Sequence, residues 1–116
     1  MNFDEALVRH VEWKDRFLSA IASHAQLDES DIGCDNCCSL GIWLYGDGKQ
    51  LYGNSSQYAT LLAYHRQLHV EAGKIASLIN QQHYLEAQRA LEPGASYGIA
   101  VQAVRAAVIT LRKLTE

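Results

Sequence analysis

Proline occurs once, at Pro93, and no run of β-branched residues alternates with polar ones. These two lacks argue against a strand-rich fold and predict an all-α chain with few forced breaks. No apolar run approaches the ~20 residues that a membrane-spanning helix needs, so membrane insertion is not expected. No basic block is present and the formal net charge is −3, so there is little to neutralise phosphates and nucleic acid is not an expected partner. No internal repeat or low-complexity segment stands out. The residues after Met1, NFDEALVRH, match neither a signal peptide nor a transit peptide. The expected compartment is the cytoplasm, where thiols stay reduced. Cysteine is scarce and crowded, with Cys34, Cys37 and Cys38 inside five residues. An odd count at this spacing does not read as a disulfide framework.

What remains is an ordinary helical composition. The 116 residues are expected to form a single domain, 1–116, long enough to bury about two-thirds of the unfolded surface. Apolar residues at spacings of three and four mark the helices. The first is expected from about Phe3 to His24, with the stripe Phe3, Ala6, Leu7, His10, Trp13, Phe17, Ala20, Ile21 and His24. Residues 25–37 are polar and turn-rich and read as a connection. A short apolar helix follows from about Cys38 to Tyr45, and GDGKQLYGNSS reads as a loop. Asn54 and Gln57 have capping-box spacing for a helix over about Ser55 to Asn80. A shorter piece covers His83 to Leu91, EPG interrupts it, and a last helix is expected from Ser96 to Leu114. The economical solution is a four-helix bundle with an additional short helix carrying the cysteines.

Two histidines sit where leucines would pack more simply. His65 and His69, four apart, lie one turn from each other on the apolar stripe of the long central helix. His10 lies on the stripe of the first helix, so a bundle can bring it opposite the pair. A thiolate from the cysteine cluster would complete four donors of a kind that suits zinc. Spacing alone leaves the alternative open, because an H-x-x-x-H pair is common and a lone core histidine is usually just hydrogen-bonded. CDNC resembles half a zinc knuckle, but no second C-x-x-C follows. His24, near a helix end, reads as structural, His83 as solvated, and Trp13 and Trp43 as core. An iron-holding bundle of the hemerythrin-like type is a weaker alternative. Glu71 and Glu86 lie off the stripes and no E-x-x-H pair occurs. A metal-free interaction bundle is the third.

Three segments in order, LVRHVEWKDRFL (7–18), CSLGIWLYGDG (38–48) and YHRQLH (64–69), resemble the chemoreceptor zinc-binding domain, a bacterial sensory family. Its pattern is a histidine before x-x-W-K, a cysteine in C-x-L-G-x-W, then H-x-x-x-H. The resemblance implies zinc ligands at His10, Cys38, His65 and His69. It selects Cys38 among the thiols because Cys38 stands two before Leu40-Gly41. Ile42 replaces a lysine that members often carry, and Cys34 and Cys37 are extra thiols that could pair with Cys38. The family implies a regulatory module and not an enzyme, since three imidazoles and a thiolate leave no open position for substrate. It further implies a zinc or oxidant sensor, with Cys38 as the redox-reactive group, that acts as a homodimer on a signalling protein such as a chemoreceptor or a diguanylate cyclase. No kinase, cyclase or coiled-coil signalling segment is present, so the chain is expected to be a stand-alone member or a piece of a larger protein.

Overall fold

The computed structural model describes residues 1–115. The described residues are all-α, with no strand. Helix α1 spans Phe3–Ser23, α2 Glu29–Ile32, α3 Ser39–Tyr45, α4 Asp47–Tyr52, α5 Ser56–Asn80, α6 Tyr84–Ala90 and α7 Ser96–Arg112. The bundle is built from α1, α5, α6 and α7. The short helices α2, α3 and α4 close one side of it, between α1 and α5. No helix among the described residues is long and apolar enough to cross a membrane.

The stripe read for the first helix is its buried face except at Leu7 and Trp13, which are half-buried, and His24, which is exposed. Phe3, Ala6, His10, Phe17, Ala20 and Ile21 of α1 face Tyr58, Leu61, His65, Leu68, His69, Ala72, Ile75, Ala76 and Ile79 of α5 across the core. Tyr97, Ala100, Val104, Ala107, Val108 and Leu111 line the inner face of α7. Burying a large apolar side chain contributes roughly 1.5–3 kcal/mol, so these three stripes dominate the packing.

Capping explains the helix ends. Asn2 accepts a hydrogen bond from the Glu5 amide at 2.9 Å and starts α1. His24 ends it in the left-handed region, at φ 58°, and stacks on Tyr84 with ring centroids 4.4 Å apart. Helix α5 is capped one residue later than expected. Ser55, not Asn54, accepts from the Tyr58 amide at 3.1 Å, and its hydroxyl also donates to the Tyr52 carbonyl at 2.7 Å. One hydroxyl thus serves both the end of α4 and the start of α5, so the Asn54–Gln57 box does not form.

Three further expectations are corrected. Residues 47–52, read as loop, form α4, because Gly48 is used for contact and not for a turn. A Cβ there would sit 2.8 Å from the Trp43 ring. The connection 25–37 contains α2, capped by Asp28, whose side chain accepts from the Asp31 amide. The last helix stops at Arg112, and residues Lys113–Thr115 tighten into a 3-10 turn that leaves Leu114 exposed.

Asn80, at the end of α5, ties down the connection. Its side-chain oxygen accepts from the Leu27 amide at 2.8 Å and its nitrogen donates to the Leu27 carbonyl at 2.9 Å. Asn80→Ala removes both bonds, and a loss of about 1–3 kcal/mol in unfolding free energy is expected by urea denaturation. A variant as stable as the parent would show that the connection is held elsewhere.

Candidate metal centre

Four side chains from three elements converge in the interior. His10 comes from α1, His65 and His69 from α5, and Cys38 from the residue that caps α3. Their potential ligand atoms, one per residue, all lie within 4.8 Å of one another. The Cys38 sulfur stands 3.2 Å from His65 Nε2, 3.5 Å from His69 Nε2 and 3.9 Å from His10 Nε2. His65 Nε2 and His69 Nε2 are 3.0 Å apart. The three imidazoles are buried, at 4%, 0% and 1% exposure in chain order.

The opposite ring nitrogens show why the Nε2 atoms point inward. His10 Nδ1 lies 2.7 Å from the Ala6 carbonyl and His69 Nδ1 2.8 Å from the Ile32 carbonyl. A carbonyl can only accept, so each Nδ1 carries the hydrogen and each Nε2 presents a lone pair. His65 Nδ1 is buried without a hydrogen-bond partner among the described residues. Two nitrogen lone pairs, the His65 Nε2 atom and a sulfur therefore meet with at most the thiol proton and the one His65 ring proton to share between them. Such an arrangement is unfavourable unless a cation takes the lone pairs.

The spacing fits a tetrahedral ion. Zinc bonds of about 2.0–2.1 Å to nitrogen and about 2.3 Å to sulfur give edges of about 3.4 Å between nitrogens and about 3.6 Å between nitrogen and sulfur. The distances to sulfur, 3.2–3.9 Å, bracket the nitrogen–sulfur edge, and the His65–His69 nitrogen distance, 3.0 Å, falls a few tenths of an ångström short of the nitrogen–nitrogen edge. The donor set is complete, with no carboxylate in the cluster.

The surroundings are equally specific. Trp13 sets its ring edge-to-face against His10 and His69, at centroid distances of 5.0 and 4.9 Å, and walls the site. This is more than the core role expected for it. The Gly41 amide donates to the Cys38 sulfur at 3.3 Å, so one sulfur both caps α3 and faces the histidines. A Cβ on Gly41 would collide with the Asp35 carbonyl, which explains the glycine in the C-x-L-G-x-W stretch. Asp35 holds that loop by accepting from the Tyr45 hydroxyl and lying 3.8 Å from the Arg66 guanidinium. Gly33 and Gly73 also meet closely, a Cβ on Gly73 falling 3.4 Å from the Gly33 Cα. That contact lets the end of α2 lie on α5 and puts the Ile32 carbonyl over His69. Sequence reasoning missed the Ile32 carbonyl, Gly33 and Gly73, because a backbone acceptor has no residue-type signature.

The extra cysteines do not pair with Cys38. Cys34 and Cys37 are bonded to each other, with Cα atoms 5.4 Å apart, and Cys38 is free. A turn in which the Cys37 amide donates to the Cys34 carbonyl brings those two together, while Cys38 turns toward the histidines. The expectation of reduced thiols is corrected for this pair, and the pairing left open, with Cys38, is not the one found. His24 and His83 lie outside the cluster, both exposed.

A family model described as the chemoreceptor zinc-binding domain matches residues 10–76, more than half of the chain and all four converging residues. The chain belongs to the chemoreceptor zinc-binding domain family. No curated protein and no solved structure shows significant similarity to it. Family membership and the cluster together make this a zinc-binding type of domain. A metal ion is the natural occupant of a site with this donor chemistry.

Burial sets the protonation states. It holds His65 down to about 2 and His10 to about 4, and lowers His69 as well. Mutual repulsion with neighbouring imidazoles adds to the lowering at His65 and His10, while the hydrogen bond to the Ala6 carbonyl opposes it at His10. Burial pushes the Cys38 thiol up, against the pull of the Gly41 amide. The unfolded chain therefore binds more protons below pH 6.5, and releases the Cys38 proton more readily above pH 9. Metal-free protein is expected to be most stable between those limits and to lose stability as pH falls from 6.5 toward 4. Urea midpoints at pH 7.5 and 5 test this, and equal midpoints would contradict the burial of neutral imidazoles.

Proposed function

We propose that His10, Cys38, His65 and His69 bind one Zn2+, and that the chain is a sensory or regulatory module and not an enzyme. The observation that carries this reading is the meeting of three Nε2 atoms and one sulfur within 4.8 Å, inside the segment matched by the family. Four protein donors fill a tetrahedral shell and leave no position for substrate, as in structural zinc sites. Bound there, zinc keeps the sulfur as a thiolate at neutral pH. The hemerythrin-like alternative fits less well, since no carboxylate belongs to the cluster.

Cys38 is the redox-reactive group in this reading. It borders an open cleft of about 330 Å³ with Arg9, Glu12, Arg16 and Asp31 on its rim, so a small oxidant such as hypochlorous acid can reach it. Oxidation to a sulfenic acid weakens one of four donors and disturbs the cap of α3 with the same atom. Helix α3 is the element that loses its start when this cap is lost, being two turns long and bounded by Gly46. A difference of ~2 kcal/mol between the two packings shifts their ratio about thirtyfold. Zinc availability is the other candidate input, because occupancy ties α1, α3 and α5 together. A homodimer, the assembly the family resemblance implies, would cover apolar side chains that α1 and α7 leave exposed, such as Val8, Val11, Leu18, Ile99 and Ile109. The output is a signalling protein in the cytoplasm, where a thiolate ligand persists.

Protein purified without a histidine tag is expected to carry about one zinc per chain by elemental analysis. The double variant His65→Ala, His69→Ala is expected to carry none, and stoichiometric metal in it would overturn the assignment. Cys38→Ser is expected to weaken zinc binding by more than about a hundredfold, beyond the usual effect of a supporting residue, with Cys34→Ser and Cys37→Ser near the parent. Equal effects at the three positions would mean that another sulfur is the donor. Hypochlorous acid is expected to lower both zinc retention and helicity, and no change in either would end the redox reading.

A further inference from the structure

The Cys34–Cys37 bridge has no part in the metal site, yet it directly precedes Cys38. Cys37 and Cys38 border the same open cleft, and Cys37 is solvent-exposed. Of the three sulfurs in five residues, the two outside the cluster are joined and the one facing the histidines is free. We infer that Cys34 and Cys37 are a built-in thiol pair that reduces oxidised Cys38 and returns it to the metal site. The inference rests on the reading of Cys38 as the oxidant-sensitive donor.

The chemistry balances within the chain once an oxidant of the peroxide class has acted. Hydrogen peroxide takes two electrons from the Cys38 thiolate, giving Cys38 sulfenic acid and hydroxide. The Cys37 thiolate then attacks the Cys38 sulfur. The S–O bond breaks, its oxygen leaves as hydroxide and picks up a proton to become water, and a Cys37–Cys38 bond forms. A disulfide between adjacent residues closes a small ring far from the preferred geometry, so it is readily reduced. The Cys34 thiolate attacks the Cys37 sulfur, the Cys37–Cys38 bond breaks, and its electron pair leaves on Cys38 as a thiolate. In sum, Cys34 and Cys37 lose two electrons and two protons, the sulfenic acid gains them, and one water is released. The product is the bonding pattern found here, with Cys34 joined to Cys37 and Cys38 free.

This mechanism gives one turnover per reduction of the pair. A first oxidising equivalent is absorbed and the donor restored. Later equivalents meet a bridged pair and leave Cys38 oxidised.

The test uses fully reduced, zinc-loaded protein and one equivalent of hydrogen peroxide. Thiol states are mapped over time by differential alkylation and mass spectrometry, and zinc is followed with a chromogenic chelator. The parent is expected to end with a Cys34–Cys37 bridge, an alkylatable Cys38 and its zinc recaptured. Cys37→Ser is expected to hold the sulfenic acid, trapped by dimedone, and Cys34→Ser to stop at a Cys37–Cys38 disulfide. Cys38→Ser is expected to slow formation of the Cys34–Cys37 bridge by about tenfold or more, because the pair loses its activated oxidant. Bridge formation at the parental rate in Cys38→Ser, or recovery of the Cys38 thiol at the parental rate in Cys37→Ser, would overturn the inference. The thiol map needs no metal. Failure of the map in protein that binds zinc refutes the rescue alone, and a protein that maps as expected without holding zinc refutes the metal reading alone.

Discussion

Everything around the candidate site is organised by the crowding of three imidazole nitrogens and a sulfur into one small buried volume. The apolar stripes of α1 and α5 would bury leucines more cheaply at positions 10, 65 and 69. Instead the rings are aimed by hydrogen bonds that His10 and His69 donate to the Ala6 and Ile32 carbonyls, and Trp13 packs edge-to-face against both. Those devices make sense if a cation completes the cluster. They join α1, α3 and α5 at one cluster of donor atoms inside an otherwise ordinary helical bundle.

The outer supports follow from the same constraint. Cys38 reaches the histidines only if α3 begins where it does, and Gly41 permits that by letting the loop at Asp35 lie against the helix. Tyr58 donates to the Leu44 carbonyl at 2.6 Å and holds the far end of α3 to α5. Tyr97 donates to the His10 carbonyl at 3.2 Å and links α7 to the helix that bears one donor. Each of the three elements that supply the cluster is therefore also held by a backbone carbonyl or a tight glycine contact.

Much of this could be read from the chain. The i, i+4 spacing of His65 and His69 and the place of His10 on an apolar stripe required only helical periodicity. Singling out Cys38 from three neighbouring thiols required the family pattern, since no spacing rule distinguishes them. The illegible parts are backbone features and close contacts. Helices α2 and α4 are too short for a periodic signal, and Gly48, which looks like a turn residue, is a space for the Trp43 ring. The Ser55 cap won over Asn54 because its hydroxyl serves two helices at once, a three-dimensional fact. The Cys34–Cys37 bond depended on a turn that polar composition alone does not specify.

The meeting of Gly33 with Gly73 carries a last consequence. Neither residue owns a functional group, yet their bare Cα atoms govern how near the Ile32 oxygen comes to the His69 ring. The basicity of that imidazole is thus tuned by the thickness of two hydrogen atoms. Drift at either position would act like a dial on that ring while leaving all four side chains of the cluster in place.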